Sequence, residues 1–207
     1  MALKKHGITT ETVSNMVLGA GVIYKNLAYA SSEWTGEVIG ATSGGITFHH
    51  EINWLEIEVD GATVLVKGVS RQKVGEAAYL EGQLTEVTPF ALTKAMHLVE
   101  DTENSVTGYK KYVSQSSGAL EDDYIDNVAY VGTLSDGRNV IIILPNAVCL
   151  EAVELNPQNA SQMTYAVRFE CTADLANDTL DKLDIEFYYP NATTTGTTTT
   201  TGTTTTP

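Results

Sequence analysis

The chain has 207 residues, 43% of them hydrophobic, which suits one globular domain with a sizeable core and leaves little room for a second. Twenty-six Asp and Glu stand against twelve Lys and Arg, a formal net charge of −14, and the basic residues are scattered with no run longer than two, which argues against an ordinary DNA-binding face. The start, MALKKHGITTETVSNMVLG, has no apolar stretch of signal-peptide length, and the longest apolar run, Val140 to Leu144, is far short of a membrane span of ~20 residues, so a soluble protein made in the cytoplasm is expected.

In chain order, the first 17 residues are polar and weakly patterned, and a strand is predicted at Val22 to Leu27. Leu55, Ile57 and Val59 alternate with Glu56, Glu58 and Asp60. Asp60-Gly61 then signals a turn into a β-branched stretch, Ala62 to Val69, which together predict a hairpin. A strand follows over Ala77 to Val87. Thr88 is a natural N-cap, Pro89 fits a first helical turn, and Phe90, Ala91, Leu92, Ala95, Met96 and Val99 give an apolar helical face. From Glu100 to Asp126 the chain is polar (VEDTEN, SQSSG, LEDDY), a long surface excursion with room for a short strand or turn.

Strands are then predicted at Val128 to Leu134 and Asn139 to Leu144, turned by Ser135-Asp136-Gly137, and at Val148 to Leu155. The clearest period of two lies in Met163 to Leu175, where Tyr165, Val167, Phe169, Cys171, Ala173 and Leu175 alternate with polar residues such as Arg168, Glu170 and Asp174. A last strand is expected at Lys182 to Tyr189. The folded part should end near Pro190, because the final fifteen residues hold twelve Thr, two Gly and one Pro and cannot pack a core. The whole reads as mainly β, a sandwich or partly closed barrel with one flanking α-helix.

Chemical motifs are sparse. Gly19-Ala20-Gly21 and the run Gly40 to Gly45 lack the context of a dinucleotide or phosphate loop and read as turns. His49, His50 and Glu51 tempt a metal assignment, but neighbours on a strand point to opposite faces and no HExxH or CxxC spacing supports them. Asp101, Glu103 and Asn104 lack the spacing of a calcium loop. Cys149 and Cys171 read as core hydrophobes of a reducing compartment ahead of a disulfide or metal pair, and their pairing is open. A Ser-His-Asp or Cys-His site assembled in space has no local signature here. No catalytic residue, metal or cofactor is assigned, and the chain is not expected to be an enzyme.

The ordered segments GAGVIYKNL, EVIGATSGGITFHHEINWLEIEVDG, VLVKGVSR, EAAYLEGQLTEVTPFALTKAM, DNVAYVGTLSDGRNVIIILPNAV and MTYAVRFECTAD resemble the major tail tube protein of bacteriophages with long, non-contractile tails, over about Ser14 to Pro190. The resemblance implies a β-sandwich subunit, six of which form a ring whose inner wall is a continuous barrel. The rings stack into the tube through which DNA is ejected. It divides the chain into an N-terminal arm (1–17), a tube domain (18–190) with the long loop 100–126, and the Thr-rich tail (191–207). Arm and loop would reach neighbouring rings, with Thr10, Thr12, Tyr109, Lys110 and Tyr112 as contact candidates. The implied partners are the chain itself, a tape measure protein, a tail terminator and a baseplate or tip protein, with double-stranded DNA only passing through and no membrane binding. The implied location is the virion tail, after assembly in the host cytoplasm.

The acid excess suits such a bore, since each basic contact would hold a moving duplex. Candidates for the lumen are Glu56, Glu58, Glu81, Glu170 and Asp174, each of which also suits an outer solvent face, and Arg168 beside Glu170 tempers the charge. Rival expectations are another ring-forming phage component, such as a terminator, or the tube of a contractile or secretion system. From a different class, a β-sandwich adhesin or carbohydrate binder would show clustered exposed aromatics, and an enzyme would show titratable groups converging in a pocket.

Overall fold

A computed structural model describes residues 7–9, 11–58, 60–61, 63–104, 106–118, 121–176 and 180–191. The described strands are β1 (Val17–Ala30), β2 (Glu33–Val38), β3 (Thr42–Glu56), β4 (Arg71–Leu84), β5 (Leu98–Glu100), β6 (Tyr112–Ser114), β7 (Ile125–Leu134), β8 (Asn139–Cys149), β9 (Tyr165–Cys171) and β10 (Glu186–Tyr188), with two helical turns, α1 (Ala91–Ala95) and α2 (Glu121–Asp123). Eight of the strands make one sheet in the order β2-β1-β7-β8-β9-β4-β3, with β10 also on β8, and every pairing is antiparallel. The mainly β expectation holds, but the molecule is one curled sheet and not two stacked ones.

How far the sheet curls follows from its chain path. β2 and β3 are consecutive in sequence yet lie at opposite edges of the sheet, and only Ile39–Ala41 joins them. Three residues span roughly 10 Å, so the two edges must approach each other. The connection bonds across the gap, with Ile39 N–H donating to the Ile23 carbonyl at 3.0 Å and Thr85 N–H to that of Ala41 at 3.0 Å. No ladder joins β2 to β3, so the sheet is not closed into a barrel.

The core fills the inside of the curl: Ile23, Leu80, Leu84, Val128, Leu144, Val167 and Phe169 are buried there, with Ala91 and Ala95 of α1. A second cluster on the opposite face, Leu27, Ala129, Ile141 and Ile143, is covered by Tyr24, Trp34 and Val131. β8 is therefore buried on both faces, which is why Val140 to Leu144 reads as an unbroken apolar run. Asn127 fastens β1 where its pairing shifts: its side chain accepts from Leu27 N–H (2.8 Å) and donates to the Leu27 carbonyl (3.2 Å).

Several expected elements differ. The partner of β3 is β4, not Ala62 to Val69, and β3 stops at Glu56. Gly61 (φ +85°) does turn the chain, but a second turn at Gly68 (φ +78°) breaks the β-branched stretch, and buried Ser70 ties it back by accepting from Val66 N–H at 2.8 Å. The two strands expected at 139–144 and 148–155 are one. β8 runs through Pro145 and Asn146 (φ +48°), changing partner there from β10 to β9, and no strand forms over 151–164.

The expected helix is cut short. Thr88 caps it, its hydroxyl accepting from Ala91 N–H at 3.2 Å, but the turn is wound wide, Met96 N–H bonding the Ala91 carbonyl at 3.0 Å. Thr93 bonds back to the carbonyls of Pro89 and Phe90, and His97 is left-handed (φ +51°), so the chain leaves the helix and Val99 lies in β5. The 100–126 excursion is folded as well, β5 and β6 pairing as a small hairpin.

Candidate functional site

The most elaborated surface is the β3–β4 hairpin with β9. Along β4, Ala78, Leu80, Gly82 and Leu84 turn inward, so Tyr79, Glu81 and Gln83 must face out. Register then places Thr47, His49, Glu51 and Asn53 of β3 and Arg168 and Glu170 of β9 on the same outer face. Tyr79 is its centre. The Arg168 guanidinium lies 3.9 Å from the Tyr79 ring centroid, and the His49 ring stacks on it at 4.7 Å and 18°. Arg168 also pairs with Glu170 at 2.5 Å, so the one arginine of this face is held by its own strand. Against it stand Glu51, Glu81 and Glu170, an acidic balance.

Of the five lumen candidates, Glu81 and Glu170 share this face and the other three do not join them. Glu56, at the end of β3, is neutralised by Arg71, which donates from Nε (3.1 Å) and Nη2 (2.7 Å). Glu58 is exposed in the β3–β4 connection. Asp174 lies beyond β9, where its carboxylate accepts from Ala176 N–H at 2.9 Å.

The free end of this hairpin is uncovered, and apolar side chains are exposed on it beside the acids Glu58 and Asp60. Trp54 and Leu55 are exposed near the end of β3, and in the connection Val64 and Leu65 are 74% and 66% exposed, with Val66 and Val69 also open, as is Val74 near the start of β4. A hairpin tip of this kind on a monomer would be an aggregation site, and β3 adds a free edge fifteen residues long.

The inner face of the same hairpin holds a carboxylate that the sequence reading passed over. Glu76 is two residues before Ala78 on the inward side of β4, and its side chain is only 8% exposed. It accepts from Lys73 Nζ (2.7 Å), pairs with His50 Nε2 (3.1 Å) and accepts from Leu183 N–H (2.6 Å). Those bonds hold its pKa down at about 2 against the desolvation that opposes them, the Lys73 bond being the largest cause. Glu76 thereby fastens the returning segment around Leu183, whose side chain packs on the core. The alternation Glu76, Ala78, Leu80 was the signal that could have found it.

His49 and His50 do diverge, one to Tyr79 and the other to Glu76. Among the described residues no group of three or more His, Cys, Asp or Glu is placed to hold a metal ion. Cys149 and Cys171 are free and buried, and burial pushes both thiols up, Cys171 to about 12.

The inter-ring candidates scatter. Thr10 lies outside the described residues. Thr12 belongs to a turn, its hydroxyl accepting from Thr9 N–H at 2.7 Å. That stretch is docked: the Ser135 hydroxyl bonds the Val13 carbonyl, Ser135 N–H donates to Met16 O (2.9 Å), and the Tyr189 hydroxyl donates to Asn15 (2.9 Å). Tyr109 is 76% exposed in the β5–β6 turn, Lys110 is paired with Glu100 at 3.0 Å, and Tyr112 starts β6. His97 and Lys94 fasten the base of this hairpin: His97 Nε2 donates to Cys149 O (2.7 Å) with Nδ1 3.2 Å from Asp123, and Lys94 donates to the carbonyls of Asp122 and Tyr124.

Compared with models of known protein families and with curated proteins, the chain matches none. The reading of this surface therefore rests on its residues and geometry.

Proposed function

We propose that the chain is a structural, non-catalytic subunit that assembles with itself into stacked hexameric rings, the tail tube of a long-tailed bacteriophage. The observation that carries this reading is the uncovered β3–β4 hairpin: a fifteen-residue strand with a free edge, ending in an apolar tip. Unpaired backbone groups over that length, next to exposed Val64 and Leu65, are the surface another copy of a β-sheet would cover. A curled open sheet joined edge to edge with its neighbours gives a ring with a continuous inner wall.

In such a ring the outer face of β3, β4 and β9 is the candidate bore. Glu51, Glu81 and Glu170 repel phosphate there, while Arg168 is kept to its own strand by Glu170 and Tyr79. Six copies carry a formal −84. The expected partners are a tape measure protein, a terminator and a tip or baseplate protein, and the expected place is the virion. Sedimentation velocity of the purified protein at moderate salt, where like-charge repulsion is screened, tests the reading. A species of six 22.3-kDa copies and larger multiples of it is expected, and a single monomer boundary at every concentration would oppose it.

One observation favours a second reading, a non-catalytic binding module. Tyr29, Trp34 and Tyr188 form a chain of rings with centroids 5.1 and 4.9 Å apart, beside exposed Tyr189 and half-buried Arg138, around a groove of about 680 Å³. Quenching or shift of Trp34 fluorescence by a panel of oligosaccharides would bring that reading forward.

A further inference from the structure

The outer face of β8 carries more aromatic surface than its packing uses. The second core cluster, Leu27, Ala129, Ile141 and Ile143, is covered by Tyr24, Trp34 and Val131. Tyr29 and Tyr188 lie outside that cover, 60% and 43% exposed, and each has its ring against Trp34. The backbone places both. Ser31 and Ser32, at φ +53° and +67°, turn β1 into β2 and set Tyr29 opposite Trp34. β10 sets Tyr188 opposite Ile141, on the face of the second cluster.

The polar groups around this row are committed elsewhere. Arg138, the single charged residue lining the groove, donates to Asp136 from Nε (2.7 Å), has Nη2 2.6 Å from the same carboxylate, and donates from Nη1 to the carbonyls of Pro190 (3.2 Å) and Asn191 (2.8 Å). Its charge is neutralised and its donors are used, and in return it holds the 188–191 segment in place. The hydroxyls of Tyr188 and Tyr189 donate to Glu186 (2.6 Å) and Asn15 (2.9 Å). The Asn139 oxygen accepts from the Thr133 hydroxyl at 3.3 Å, while its amide nitrogen has no partner among the described residues. What the groove offers is ring surface with one free amide donor. An anion finds no unused guanidinium there, and a cation meets Arg138 and a row of rings instead of a cage. A proline-rich strand needs slots between rings, but rings 5.1 and 4.9 Å apart already touch. A neutral pyranose fits what is left: a flat C–H face for the rings and a rim of hydroxyls for the amide.

We propose that this groove binds a neutral oligosaccharide, its sugar rings laid along Tyr29, Trp34 and Tyr188 and a hydroxyl accepting from the Asn139 amide. The row of ring centroids spans no more than about 10 Å, which suits a short oligosaccharide or the end of a longer one. The site rests on the binding reading of this groove and is independent of tube assembly.

The full chain applied to an array of neutral glycans, anionic glycans and proline-rich peptides tests the assignment. Retention on neutral glycans is expected, weakened roughly tenfold by Tyr29→Ala and by Tyr188→Ala at an unchanged unfolding midpoint. A second readout leaves the site intact: in Trp54→Phe, where Trp34 is the sole tryptophan, the retained glycan should shift the emission and shield it from acrylamide. Retention of anionic glycans alone, retention that neither tyrosine substitution weakens, or an unmoved Trp34 emission would overturn the site. Peptides retained in place of glycans would overturn the sugar and leave the binding reading standing, and a chain that retains nothing would end both. Sedimentation reads assembly separately, so none of these results bears on the tube.

Discussion

Glu76→Gln removes the charge from the bond network that ties Lys73, His50 and Leu183 together and leaves the shape almost unchanged. A carboxyl held at about 2 against an ordinary 4.5 corresponds to about 3 kcal/mol of folding free energy at neutral pH if taken whole. The Glu76 side chain is well covered, but Lys73 is 38% exposed, so screening reduces the figure to about 1–2 kcal/mol. The new amide oxygen can still accept from Leu183 N–H, which limits the loss further. The sign follows from the depressed value: the folded state favours the ionised group, so the stabilisation is complete above about pH 4.5 and disappears as pH falls toward 2. Urea unfolding followed by tryptophan fluorescence should show the variant about 1–2 kcal/mol less stable than the parent at pH 7, with the gap narrowing below pH 4.5. An equal gap at pH 7 and pH 2.5, or none at pH 7, would refute the assignment.

Phe169→Ala, at a fully buried site in the centre of the curl, should cost about 3–5 kcal/mol, read by the same unfolding assay. Gly21→Ala should also be strongly destabilising, because Gly21 has φ +70° and a Cβ there would enter the Tyr130 ring; an unchanged melting temperature would contradict the packing. Native protein should leave both cysteines unreactive to a thiol reagent at pH 8, since burial raises both thiols, and denaturant should release two thiols per chain. Glu81→Lys with Glu170→Lys should leave assembly intact and make the assembled protein retain double-stranded DNA in a pull-down at low salt, a retention lost as salt rises.

How much could be read beforehand depended on what each residue signal measures. The β9 alternation and the Val140 to Leu144 run were legible because burial on one face, or on two, writes itself directly into hydrophobicity. The Thr88 cap was legible for the same local reason. The helix length was not: Thr93 back-bonding and the left-handed His97 depend on how α1 meets the core. The β3 partner was missed because Ala62 to Val69 has the composition of a strand, while the turns at Gly61 and Gly68 that break it depend on backbone conformation and not on hydrophobicity. Glu81 and Glu170 were placed together by period two in each strand. The pairing of Glu56 with Arg71 was not legible, because Arg71 comes from the strand the hairpin expectation had left out.

The central claim is that copies of this chain join through the β3–β4 hairpin into a hollow tube. Electron microscopy of the concentrated protein at moderate salt tests it most directly. Hollow tubes or six-fold rings with an open bore are predicted, and particles that remain single, compact and monomer-sized at every concentration would contradict it.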